Sequence, residues 1–129
     1  YYIKARFMKK ILFIEDEPAL QKAMGDFLKS QGYVVFSALN GPDGLELAHS
    51  QHPDLILLDL ILPGIQGLEL LERLRVREET KAIPVIVLTN VESSEAVERA
   101  VELGATTYMV KTNYSLDEVL EKVRAVLGE

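Results

Sequence analysis

The chain has no cysteine among its 129 residues. That excludes a disulfide framework, a thiolate zinc site and a thiol nucleophile, and a cytoplasmic setting is the expectation. Long hydrophobic runs are missing too. The apolar stretches are short and broken by Asp, Glu or Pro, far below the roughly 20 residues a helix needs to cross a bilayer. No signal-peptide pattern is present. Positive charge is scarce: 14 Lys and Arg stand against 20 Asp and Glu, for a formal net charge of −6 and a pI near 5.0. Nucleic acid and anionic membranes are therefore poor partners for this domain alone, whereas cations and basic partners remain open. Internal repeats, low-complexity segments and linkers are also lacking. What is present, 48% hydrophobic and 26% charged residues, suits one compact globular domain with a full core. Residues 1–7, YYIKARF, stand apart from the pattern that starts at Lys9. They read as an expression leader or disordered extension, the alternative being a native extension with its aromatics on the surface, and the domain is placed at 8–129.

From Met8 onward, short apolar runs alternate with stretches of helical period. ILFI (11–14), VVF (34–36), LILL (55–58), VIVL (85–88) and YMV (108–110) are too short for buried helices and rich in branched residues, so they predict strands. Leu20, Ala23, Met24, Phe27 and Leu28 mark a first helix, with Pro18 in its first turn and Gly32 at its close. Leu45, Leu47 and Ala48 mark a second after the NGPDG turn, and Leu68, Leu71 and Leu74 a third. Ala96, Val97, Ala100 and Val101 mark a fourth, stopped by Gly104. Ser115 and Glu118 form a capping box for a fifth, whose inner face carries Val119, Leu120, Val123, Val126 and Leu127.

Five such strand–helix units predict an α/β fold: a doubly wound five-stranded parallel sheet, covered by helices on both faces. The common strand order is 2-1-3-4-5, as in the flavodoxin-like folds, and ligands then sit at the carboxyl ends of strands one and three. Strand one runs into Glu15-Asp16-Glu17, strand three ends at Asp59, strand four at Thr89-Asn90 and strand five at Lys111. Asp59, in the leucine- and isoleucine-rich stretch DLILLDLILPG, would be costly inside the core but not at its rim. Converging carboxylates repel one another, and Mg²⁺ is the natural remedy because it accepts few carboxylates and keeps sites for phosphate oxygens. Asp59 could then attack phosphorus, with Thr89 and Lys111 holding the transferred group.

The stretches ILFIEDEP, LILLDLILPGIQGLELL, IPVIVLT and GATTYMVK, in this order, closely resemble the receiver domain of bacterial two-component response regulators, over about Lys9 to Leu127. The resemblance implies that Glu15 and Asp16 form the acidic pocket, with Asp16 the more direct metal ligand. It implies that Asp59 accepts phosphate from a histidine kinase or phosphotransfer protein, and that the Ile61 backbone carbonyl completes the shell of Mg²⁺, or of Mn²⁺ as a substitute. Thr89 would be the switch hydroxyl, Tyr108 the switch aromatic and Lys111 the phosphate-binding lysine. The face formed by helix four, strand five and helix five would meet an output partner or a second copy. Glu92, Glu95, Glu98, Arg99 and Glu102 border that face and read most simply as a solvated helix surface.

Two positions depart from the family pattern. The strand-five lysine is usually followed by a cis-linked Pro, but here by Thr112; a non-proline cis bond costs about 3 kcal/mol, so the bond is either strained or trans with the Lys111 loop re-aimed. Asn90 follows the switch threonine where a small residue is usual, and with Ile61 it would alter access of hydrolytic water. Other functions fit less well. A receiver-like interaction module that has lost phosphorylation is one alternative. A Mg²⁺-dependent phosphatase of the haloacid dehalogenase type is another, but it needs a second Asp where Ile61 stands. A flavodoxin-type flavin carrier wants a Ser/Thr/Gly-rich loop where this chain has acids. On this reading the chain signals rather than turning over a substrate, although it assists its own phosphorylation and dephosphorylation. His49 and His52 read as surface residues without metal-ligating neighbours.

Overall fold

The computed structural model describes residues Met8–Glu129, and the 1–7 segment lies outside the described residues. The strands are β1 (Lys10–Ile14), β2 (Val34–Ala38), β3 (Leu55–Leu58), β4 (Val85–Thr89) and β5 (Thr107–Val110). The helices are α1 (Pro18–Ser30), α2 (Gly41–Gln51), α3 (Gly67–Arg75), α4 (Ser94–Glu102) and α5 (Leu116–Leu127), with a 3₁₀ turn at Lys111–Asn113. All strand pairs are parallel and the order is β2-β1-β3-β4-β5, the order expected of a doubly wound sheet built from five strand–helix units.

The two-residue period of a strand splits the core between the faces of the sheet. Leu12, Ile14, Ile56, Leu58, Val85 and Val87 pack against α2, α3 and α4 through residues such as Ala48, Leu71, Leu74 and Ala100. Ile11, Phe13, Leu55, Leu57, Ile86, Leu88 and Met109 pack against Met24 and Leu28 of α1 and against Val119, Leu120 and Val123 of α5. Burying each of the larger side chains contributes about 1.5–3 kcal/mol. The central strands are buried on both faces, while edge strand β2 is mostly half-buried, since no strand lies outside it.

Local chemistry sets the element ends. Pro18 opens α1 with the fixed φ a first turn needs. Ser115 and Glu118 make the reciprocal capping box at α5. Gly104 ends α4 at a φ of +80°, a left-handed conformation that a side chain would resist. Two helical faces differ from expectation. Ala23 is exposed and its place in the α1 stripe is taken by Gln21, while Val101 of α4 is 61% exposed. In both helices the buried stripe is narrower than the run of apolar residues. Among the described residues no helix is long and apolar enough to cross a membrane.

Candidate functional site

The register of β1 on β3 pairs Ile14 with Leu58, so the next residues along, Glu15 and Asp59, leave the sheet side by side. The Asp59 amide donates to the Ile14 carbonyl at 3.0 Å and ties the two exits together. Glu15, Asp16 and Asp59 each present a carboxylate oxygen within 4.8 Å of the others. Glu15 is fully buried and Asp59 is 4% exposed, whereas Asp16 faces solvent. The predicted rim position of Asp59 is thus the observed one.

Lys111 closes the cluster from the far side. Its Nζ lies 2.9 Å from Asp59 Oδ2 and 2.6 Å from Glu15 Oε1. The Lys111–Thr112 bond is trans, there being no cis peptide among the described residues, and Thr112 sits in the 3₁₀ turn. The ammonium nevertheless reaches both acids, so the 3₁₀ turn aims Lys111 at the cluster through a trans bond.

The electrostatics are unbalanced. Three carboxylates face one ammonium, leaving two negative charges in a partly buried cluster. At an effective dielectric of about 20, unit charges about 4 Å apart interact by about 4 kcal/mol, so the imbalance is costly. Burial pushes the Glu15 carboxyl above its ordinary pKa, against the lowering effect of Lys111 and of the Glu17 amide. Burial pulls on Lys111 in the opposite sense, but its bonds to Glu15 and Asp59 outweigh that and hold its pKa above the ordinary value. Glu15 Oε1 is buried and accepts no well-directed hydrogen bond, despite the nearby ammonium. Hard oxygen donors and excess negative charge fit a divalent cation such as Mg²⁺.

Thr89 ends β4 fully buried, and its Oγ1 accepts from the Val91 amide at 3.3 Å. Tyr108 in β5 is half-buried and its hydroxyl donates to the Val91 carbonyl at 2.7 Å. Val91, which sequence reasoning passed over, therefore joins the two proposed switch residues through one residue's backbone. The Ile61 amide donates to Asp59 Oδ1 at 3.3 Å, and the Ile61 side chain is exposed. The loop carrying it is clasped by glycines. The Gly41 amide donates to the Pro63 carbonyl, a Cβ on Gly41 would collide with the Ile65 carbonyl, and one on Gly67 would collide with that of Asp59. These are contacts across the fold, with no local signature beyond the glycines themselves.

Other candidates stay apart. His49 pairs with Glu79 at 2.8 Å on the surface, and His52 is exposed beyond the end of α2. Glu92, Glu95, Glu98, Arg99 and Glu102 are all exposed, as a solvated face requires, and Arg99 reaches across to Glu72 of α3 at 2.7 Å.

Comparison with known proteins gives one family. A family model described as the response regulator receiver domain matches residues 11–124. The chain is 33% identical to the sporulation initiation phosphotransferase F of Bacillus subtilis, over 92% of this chain and 94% of that protein. It is 40% identical to the phosphate regulon transcriptional regulatory protein PhoB of Rhizobium meliloti, over 93% of this chain but 52% of that protein. Several of the curated relatives it matches are about twice its length in this way. Among solved structures it superposes on a CheY-like response regulator receiver domain from Methanospirillum hungatei with a TM-score of 0.88 and 28% identity, over 94% of each chain. The doubly wound sheet, the acid cluster at its switch point and these matches agree: the chain belongs to the response regulator receiver domain family of two-component systems.

Proposed function

We propose that Asp59 accepts a phosphoryl group from a phosphohistidine of a partner kinase or phosphotransfer protein, or from a small donor such as acetyl phosphate. Glu15, Asp16, Asp59 and the Ile61 carbonyl would hold Mg²⁺, which when bound neutralises charge on the phosphoryl oxygens. The Asp59 carboxylate forms the new P–O bond as the donor's bond to phosphorus breaks. Lys111, already 2.9 Å from Asp59, holds one phosphoryl oxygen, and the Thr89 hydroxyl donates to another. Hydrolysis of the acyl phosphate later resets the domain.

The output follows from Val91. Thr89 now accepts from the Val91 amide, while Tyr108 donates to the Val91 carbonyl. Drawing the Thr89 hydroxyl toward a phosphoryl group frees that amide and opens space that Tyr108 can fill, biasing the α4–β5–α5 surface toward a second state. That surface would meet an output partner or a second copy of the chain.

The observation that carries this reading is the Lys111 ammonium held between two buried acids from neighbouring strands. A module that has lost phosphorylation would follow from Thr112 misdirecting Lys111 or from Asn90 beside the switch threonine, and the reach of Lys111 to both acids weighs against the first of these. A dehalogenase-type phosphatase lacks the acid it needs at Ile61. Incubation with acetyl phosphate and Mg²⁺ followed by intact mass tests the proposal: the wild type gains one phosphoryl group and Asp59→Ala gains none. Modification that persists in Asp59→Ala overturns it.

A further inference from the structure

Gln21 is a polar residue in the apolar stripe of α1, only 7% exposed. Its Nε2 donates to the carbonyls of Phe13 at 2.9 Å, Ala38 at 2.9 Å and Glu15 at 3.2 Å. An amide nitrogen has two hydrogens, so one of them is shared between acceptors. The amide orientation is fixed by this network, since the flipped form would set Oε1 against the same carbonyl oxygens. Oε1 is consequently left buried with no partner. A methionine or leucine would fill this space without that cost. The retained amide points to a need for its donor half.

The three acceptors mark one junction. Phe13 and Glu15 flank the point where β1 leaves the sheet, and Ala38 is the last residue of β2. The Ala38 carbonyl also takes the Glu15 amide at 3.0 Å, and Glu15 Oε2 in turn accepts from the Glu17 amide at 3.1 Å. One buried side chain thus braces the turn that presents Glu15 and Asp16. We propose that Gln21 is a positioning residue for the cation site: it locks the β1–α1 turn against the end of β2, so that Glu15 and Asp16 face Asp59. This role presupposes the cation site proposed above. Outer partners that orient ligating carboxylates typically change metal affinity by about 10–100-fold when removed.

The test combines Mn²⁺ titration by electron paramagnetic resonance with amide hydrogen exchange on the metal-free chain and urea unfolding. Gln21→Met keeps the length and removes both donors; Gln21→Asn keeps an amide but draws it back by one methylene, and serves if the first variant does not fold. Leu28→Ala, buried in the same helix, controls for lost stability. Gln21→Met or Gln21→Asn is expected to bind Mn²⁺ at least about tenfold more weakly than wild type and to exchange the Glu15 and Glu17 amides faster. Leu28→Ala keeps wild-type affinity although urea unfolds it earlier. Wild-type affinity and exchange in the Gln21 variants, or equal Mn²⁺ loss in Leu28→Ala, overturns the role of Gln21 alone. A wild type that takes up no Mn²⁺ overturns the proposed function, and with it any role for Gln21 in a cation site.

Discussion

Two cationic side chains sit at opposite ends of the sheet, and they are solved differently. At the amino-terminal ends of β4 and β5, Arg75 spreads its guanidinium over the carbonyls of Leu103 at 2.8 Å, Ile83 at 2.9 Å, Lys81 at 3.1 Å and Gly104 at 3.2 Å. Neutral dipoles satisfy it in the fixed fork that guanidinium offers. At the carboxyl-terminal ends, Lys111 faces more acid than it can neutralise. The first arrangement is complete and ties the end of α4 to the loop before β4. The second is incomplete in charge, and incompleteness is what makes it a site. A half-buried cation is therefore informative through its surroundings: carbonyl partners mark architecture, and surplus carboxylates mark a place for a ligand.

Exchanging each cation for an apolar side chain should separate these roles. Lys111→Met leaves Glu15 and Asp59 buried and unpaired, so the metal-free protein should lose about 3 kcal/mol of stability. Saturating Mg²⁺ should restore part of this, and the rate of labelling by acetyl phosphate should fall by about 10²-fold; urea unfolding with and without Mg²⁺ and timed intact mass read both. Arg75→Met should cost about 2 kcal/mol through lost hydrogen bonds and stranded carbonyls. That loss should be the same with and without Mg²⁺, and the labelling rate should stay unchanged. If Mg²⁺ rescues both variants equally, the contrast between the two ends is wrong.

The smallest effect belongs to a tyrosine–carboxylate pair at the Arg75 end of the molecule. Tyr33, just before β2, donates its hydroxyl to Glu129 beyond α5. Burial, reinforced by that carboxylate, pushes its pKa from 10.0 up to about 12. A raised folded-state pKa means that the contribution is full below pH 10.0, the unfolded value, and is lost as pH climbs toward about 12. Tyr33→Phe should cost about 1 kcal/mol at neutral pH and flatten the decline of stability above the unfolded pKa. Urea midpoints across that range read it; an unchanged decline in the variant would assign it to other groups.

Most of the fold was legible because its signals are local. Apolar runs of strand length, Pro18, Gly104 and the Ser115–Glu118 box each act within a few residues. The acid cluster was legible for a related reason: once the strand order is known, a residue at a strand end has only one place to go. Gln21, Val91 and Arg75 were not legible, since each works through backbone carbonyls or amides from distant segments and carries no pattern of its own. The clasp of Gly41 on the 63–65 segment escaped for the same reason. Thr112 shows the limit from the other side. The missing proline suggested a re-aimed lysine, but lysine has a long flexible stem, and a 3₁₀ turn brings its ammonium to the acids without a cis bond.

Convergence of acids from β1 and β3 on one cation is tested most directly by calorimetric titration of Mg²⁺ into the wild type, Asp16→Asn and Asp59→Asn. The wild type should bind a single ion, and each substitution should weaken binding by at least about tenfold, because each removes a charged oxygen donor from the same shell. Binding of one ion with unchanged affinity in both variants would contradict it.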